Sequence, residues 1–120
     1  MQGIKIETKK ISDKLVKWNS QVRKGLLEFL ILNLLTKEDY YGYELIKAIN
    51  KLTSLSITEG TVYPLLKRLE NEKFINSKWI HKETAIPRKY YNITDSGKII
   101  LTEMKNSWTQ LNDNLKQFLL

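Results

Sequence analysis

Cysteine is absent from this sequence of 120 residues, and proline and glycine are scarce, with two and five copies. Without cysteine, disulfide bridges and thiolate metal sites are excluded, which fits a reducing cytoplasmic environment. The sequence also lacks a glycine-rich phosphate loop, and its single histidine, His81, falls on a predicted strand. We therefore expect no metal, no other cofactor and no enzymatic active site.

Long apolar runs are missing as well. The start of the chain, residues 1–10, lacks the apolar stretch that a signal peptide requires. The most apolar stretch, residues 25–35, is about half the length of a membrane span and contains Glu28 and Asn33. We expect a buried helix there, a cytoplasmic protein and no membrane partner.

Positive charge exceeds negative charge by seven, and the surplus lies in two segments. Residues 1–28 hold seven basic and three acidic groups, whereas residues 74–93 hold four basic groups and one acidic group. A positive surplus confined to two segments predicts a positively charged surface that attracts an anionic partner such as nucleic acid.

Periodicity predicts a mainly helical domain. Residues 1–14 have no clear period, which predicts a flexible arm or a frayed helix start, and a helical pattern then runs from about residue 18 to residue 35. A second helix is expected to open at Gly42, followed by a short strand at Ile57. Its apolar stripe contains Leu45, Ile46, Ile49 and Leu52.

The third helix begins after Thr58, a good N-cap residue, and ends near Glu72. The period then changes to two, which predicts strands over 74–81 and 88–93 and a hairpin between them. Thr94 is expected to cap a last helix. The order predicts a mainly α fold with a small β-hairpin: a winged helix-turn-helix domain over residues 15–93 and a dimerisation helix over 94–120.

The third helix has two distinct faces. Val62, Leu65, Leu66 and Leu69 form a core stripe, and the opposite face combines small, hydroxylated and cationic residues that suit a major groove. Pro64 lies inside this helix, where proline is disfavoured because it removes a backbone hydrogen-bond donor. Such a residue is expected where function overrides the local preference for helix formers. The alternative is an ordinary amphipathic surface helix that tolerates the proline. The predicted DNA contacts of this helix are Gly60, Thr61, Tyr63, Lys67 and Arg68.

The hairpin is rich in cations and suits a wing that follows phosphates or the minor groove. Its predicted DNA contacts are Lys82, Arg88 and Lys89, and Arg23 on the first helix is a further candidate. The alternative is a winged-helix protein-interaction module that never contacts DNA, but this would require an apolar or acidic outward face.

Four segments resemble the successive motifs of the PadR-like regulators: residues 21–28 (QVRKGLLE), 41–46 (YGYELI), 59–70 (EGTVYPLLKRLE) and 87–94 (PRKYYNIT). The resemblance implies a dimeric transcriptional repressor that binds an inverted-repeat operator. The sequence departs from the family at Lys73, where glycine is usual.

The last helix carries a heptad stripe that predicts pairing with a second chain. Its predicted interface residues are Leu101, Met104, Trp108, Leu111, Leu115 and Phe118, with Gly97 at the start of the stripe. The resemblance further implies a site for aromatic or drug-like effectors at the dimer interface, for which Trp108, Trp18 and Met104 are the candidates. Alternatively, Trp108 simply fills the interface.

Overall fold

A computed structural model describes residues 2–83 and 86–119, which form five helices and three short strands. The mainly helical fold with a small antiparallel sheet confirms the predicted fold class. In chain order the elements are α1 (Gln2–Gly25), α2 (Leu27–Leu35), β1 (Tyr40–Tyr41), α3 (Gly42–Thr53), α4 (Glu59–Asn71), β2 (Ile75–Ile80), β3 (Arg88–Ile93) and α5 (Asp95–Leu119).

The hydrophobic core lies among α2, α3 and α4. The short helix α2 is apolar on nearly every side and buries four of its side chains, which makes it the central element. The apolar stripe of α3 packs against α2, and that of α4 packs against α3 and β2. In each helix the apolar residues recur every three or four positions and so share one face. The core side chains of these helices are Leu27, Ile31, Leu32, Leu35, Leu45, Ile46, Ile49, Val62, Leu66 and Leu69.

The strands form an antiparallel sheet in the order β1–β3–β2. The hairpin of β2 and β3 was predicted, but β1 was not, and the strand expected at Ile57 was wrong. Ile57 is buried, and the side-chain amide of Asn50 takes the place of a strand partner. The Ile57 N–H donates to Asn50 Oδ1 (2.6 Å), and Asn50 Nδ2 donates to the Ile57 carbonyl (3.0 Å).

The amino-terminal half of the chain differs from the expectation in three places. Residues 2–14, expected as an arm or a frayed helix start, belong to α1. The single helical pattern that ends at Leu35 is divided in two, because the chain turns at Leu26 between α1 and α2. The expected core position of Leu52 is wrong, since 62% of this residue is exposed at the edge of the α3 stripe.

A hydrogen bond connects the turn that follows α4 with the residue that precedes α5. Lys73 adopts a left-handed backbone (φ 65°) in place of the usual glycine, and its carbonyl accepts a hydrogen bond from Thr94 Oγ1 (2.8 Å). Thr94 is the expected cap, since its hydroxyl oxygen also accepts from the Gly97 N–H at 3.0 Å. A β-carbon on Gly97 would lie 2.1 Å from the Phe74 carbonyl oxygen, so only glycine permits this close approach.

Only the first part of α5 packs on the domain. Leu101, predicted for the dimer interface, lies instead in the hydrophobic core with 3% of its surface exposed, in the part of α5 that packs on the domain. Past Met104, every described residue of α5 is exposed. The molecule is correspondingly long, 63 × 36 × 21 Å, with a radius of gyration of 18.2 Å, whereas a compact chain of this length has about 14 Å.

Candidate nucleic-acid interface

The outward face of α4 is open to solvent over its full length. Its exposed residues are Gly60, Tyr63, Pro64, Lys67, Arg68 and Asn71, whereas Thr61 is half-buried. The helix continues without a break through Pro64, although this residue cannot donate to the Gly60 carbonyl. Because Gly60 is exposed, water can satisfy that carbonyl. The predicted division of α4 into a core face and a free face therefore agrees with the structure.

The aromatic ring of Tyr63 links α4 to the amino terminus of α3. A β-carbon on Gly42, the first residue of α3, would lie 2.5 Å from both Cε1 and the hydroxyl oxygen of Tyr63. Burial of the ring, with a smaller effect of the Glu59 carboxylate, raises the pKa of the Tyr63 phenol. At neutral pH the hydroxyl is therefore protonated and can donate a hydrogen bond to an anion.

A groove of about 430 Å³ runs between α4, the start of α3 and the hairpin. It brings together three of the predicted residues, Tyr63, Arg88 and Lys89. The Arg88 guanidinium lies 4.4 Å from the centroid of the Tyr41 ring, which holds the cation at the mouth of the groove. The full lining is Tyr41, Gly42, Tyr63, Trp79, Pro87, Arg88, Lys89 and Tyr91.

Two cations of this surface are paired with carboxylates. Arg68 forms an ion pair with Glu28 of α2 and a second, at 3.8 Å, with Glu72. The hydrogen bond to Glu28 and its charge raise the pKa of the Arg68 guanidinium. Lys89 Nζ lies 3.8 Å from Glu70 Oε2. Burial of the Tyr91 ring raises the pKa of its phenol, and the charge of Glu70 raises it further. Sequence reasoning missed these pairs.

The remaining predicted DNA contacts lie outside the groove. Lys82 is exposed beyond the end of β2, beside a smaller hollow that Arg88 also lines. Arg23 occupies the last turn of α1, where its guanidinium donates to the Asn19 carbonyl at 3.5 Å. Within the loop that joins the two strands of the predicted hairpin, residues 82–87, positions 84 and 85 lie outside the described residues.

Sequence reasoning also missed Trp79. This residue lines the groove and is 63% exposed, although large aromatic side chains are usually mostly buried. The available signal was an aromatic residue near the end of a strand, next to Lys78 and three positions before Lys82.

The predicted effector residues fall into two separate places. Met104 and Trp108 line a cavity of about 360 Å³ between the start of α2 and α5, with Glu28, Phe29 and Glu103 in its walls. Trp18 instead lines an open hollow on α1. Within the single chain, the structure brings Met104 and Trp108 together but leaves Trp18 apart.

Other kinds of site find no support in the described part of the chain. Across residues 2–83 and 86–119, no cluster of histidine and carboxylate side chains could hold a metal ion. None of the helices described has the length and apolarity needed to cross a membrane.

A three-helix core followed by a two-stranded wing, with a free face on the third core helix, defines the winged helix-turn-helix class. Comparisons with known proteins lead to the family. The model of the "Transcriptional regulator PadR-like family" matches residues 31–103, which is more than half of the chain. The chain belongs to the PadR-like family of transcriptional regulators.

Solved structures and a curated relative agree. A PadR family transcriptional regulator from Eggerthella lenta is 34% identical with a TM-score of 0.82, and the match covers 91% of this chain and 95% of that one. A PadR-like regulator from Bacillus cereus is 39% identical with a TM-score of 0.75, covering 82% and 96%. The negative transcriptional regulator PadR of Bacillus subtilis is 33% identical, and the match covers 61% of this chain but 41% of that protein.

Family membership confirms the resemblance and the main prediction of function. The protein is a DNA-binding transcriptional regulator and not an enzyme.

Proposed function

We propose that this protein is a cytoplasmic repressor that binds an inverted-repeat operator as a homodimer. The observation that carries the proposal is the exposed face of α4 beside a cationic wing, with Lys67, Arg88 and Lys89 on the same side as the Tyr63 ring. In this arrangement α4 enters the major groove, and the wing contacts phosphates or the minor groove. Gly60 allows the helix to approach the duplex closely.

Two exposed apolar stripes support the homodimer. On α5 the heptad stripe continues past the core with Trp108, Leu111 and Leu115, each between 44% and 49% exposed. Along α1 no described side chain is buried, yet apolar residues recur at spacings of 7, 4, 3 and 4. These residues are Ile4, Ile11, Leu15, Trp18 and Val22. Two long helices with unpartnered stripes of this kind suit a partner with the same surface.

A two-fold axis through α5 accounts for the form of the operator. It would place two α4 helices on one side of the dimer, about 34 Å apart when they occupy successive major grooves. Each half of an inverted repeat would then contact one protomer. Past Met104 every described residue of α5 is exposed, which leaves this part of the helix available for such an axis.

The cavity beside Trp108 supports regulation by an effector. Its size suits a small aromatic molecule, and Trp108, Phe29 and Met104 offer apolar and aromatic surface. Because the wall contains the Glu103 carboxylate as well as the Trp108 and Phe29 rings, a cationic effector fits best. Binding there releases the repressor from DNA in our proposal, since the cavity lies between α2 and the dimerisation helix.

The test is binding to the intergenic DNA that adjoins the gene, measured by gel shift or fluorescence anisotropy. We expect a protected inverted repeat with two chains per site and at least 1,000-fold preference over scrambled DNA, the order of magnitude of specific recognition. Lys67→Ala should reduce that preference, whereas Lys51→Ala, a matched change of an exposed lysine on α3 outside the groove, should not. Failure of the wild type to bind any duplex would instead favour a protein-interaction module.

A further inference from the structure

Trp79 is an exposed aromatic residue on the side of the wing that faces the helices. On β2, residues at alternate positions share one face. Ile75 on this face is buried in the core, and Ser77 Oγ donates to Glu70 Oε1 of α4 at 2.8 Å. Trp79 comes next on the same face, where the strand has passed the edge of the core.

The surroundings of Trp79 combine apolar surface with cations. In the hairpin register Trp79 lies opposite Lys89, and both line the groove that also contains Tyr63 and Arg88. A molecule that fills this groove would contact the indole ring and lie within reach of Arg88 and Lys89.

We propose that Trp79 packs against deoxyribose groups of the DNA backbone while Arg88 and Lys89 contact the phosphates on either side. The proposal rests on the proposed function, because the backbone enters this groove only if α4 lies in the major groove. A DNA backbone alternates apolar sugar carbons with anionic phosphates, which matches an indole flanked by cations. The contact adds affinity without sequence information, because the sugar is the same in every nucleotide.

The two kinds of contact have different salt dependences. A phosphate contact releases counterions, so its loss reduces the slope of log affinity against log salt, whereas an apolar contact releases none. We expect Trp79→Ala to lower the affinity for operator and for scrambled DNA alike, by about tenfold. This factor corresponds to part of the free energy gained by burying an indole side chain. The salt slope should stay unchanged.

A conservative variant and a matched control complete the design. Trp79→Phe should retain most of the affinity because it keeps an aromatic surface. Ile99→Ala removes a similarly exposed apolar side chain (67%) from α5 and should leave affinity unchanged. Since both positions are exposed, thermal unfolding of the variants should match that of the wild type.

Tryptophan fluorescence provides a second readout. Scrambled or operator DNA should quench part of the emission of the wild type, and that part should be missing in Trp79→Phe, with Trp18 and Trp108 as internal reference. An affinity of Trp79→Ala within twofold of the wild type, or equal quenching in Trp79→Phe, would overturn the inference. A loss confined to operator DNA would also overturn it, because that result indicates a base contact. If the wild type binds no DNA at all, the proposed function itself fails.

Discussion

The ring of Tyr63 on α4 occupies the space that any side chain larger than glycine would need at Gly42 on α3. The contact is so close that an added β-carbon would lie 2.5 Å from the ring. The absence of a side chain at Gly42 lets the Tyr63 ring pack against the start of α3. A residue of α3 thus makes room for the side chain of a residue of α4.

Gly42→Ala should therefore displace Tyr63 without unfolding the domain. The atoms in conflict belong to the far end of a side chain that can rotate toward solvent, and alanine is favourable in a helix. We expect the melting temperature to change little, while DNA affinity falls by about tenfold, the effect of about one lost hydrogen bond. If affinity is unchanged, Tyr63 does not act in binding.

Gly60→Ala tests the other glycine of this surface. A β-carbon here would meet only the Thr58 hydroxyl at 3.7 Å, so the free protein has room for it. Stability should rise by about 0.5–1 kcal/mol, the usual preference of a helix for alanine over glycine. DNA affinity should nevertheless fall, because the methyl group holds the backbone away from the duplex. A stabilised variant with full DNA affinity would show that Gly60 faces away from DNA.

Glu28→Gln should strengthen DNA binding. Glu28 neutralises Arg68 from the neighbouring helix, so its loss frees a cation on the surface that we propose to face DNA. We expect affinity to rise severalfold and the salt slope to steepen by about 0.9, the value of one additional phosphate contact. Folding stability should change little, since exposed ion pairs contribute little.

Glu103→Gln is the matched control for this prediction. It makes the same change in net charge and alters the same cavity wall, but Glu103 forms no ion pair with the described residues of α4. An equal gain of affinity in both variants would show that the effect comes from net charge and not from Arg68.

Leu111→Glu should separate the proposed dimer into single chains. Leu111 lies on the exposed part of the α5 stripe and is 49% exposed in the single chain. A charge at this position would be buried without a partner in a dimer. Light scattering should then give the mass of one chain, and operator affinity should fall at least 100-fold because two linked half-site contacts become independent. Ile99→Glu, on the same helix but off the stripe, should remain dimeric; a monomeric control would contradict the assignment of the interface.

Local pattern was sufficient to predict most of the fold. The apolar residues of α4 recur at helical spacing, and those of β2 and β3 sit at alternate positions, so each element could be assigned from its own residues. The strand β1 could not, because two residues are too few to show a period. Its pairing with β3, which places Tyr40 opposite Tyr91, depends on chain segments about fifty positions apart.

The candidate site was predictable only in part for the same reason. The exposed face of α4 follows from its periodicity, but the sequence does not show which of its charged side chains form ion pairs. Arg68 and Glu28 are forty positions apart, and nothing in either local sequence indicates that they meet. Leu101 satisfied the heptad pattern of α5, yet contact with α2 assigns it to the core of its own protomer.

The salt dependence of DNA binding tests the central claim most directly, because it counts the phosphates that the α4 surface and the wing contact. For the wild type we predict a steep fall of affinity with salt, and for Arg88→Ala a slope that is smaller by about 0.9 on every duplex. The same slope in the variant as in the wild type, or no salt dependence in either, would contradict the placement of the wing on DNA.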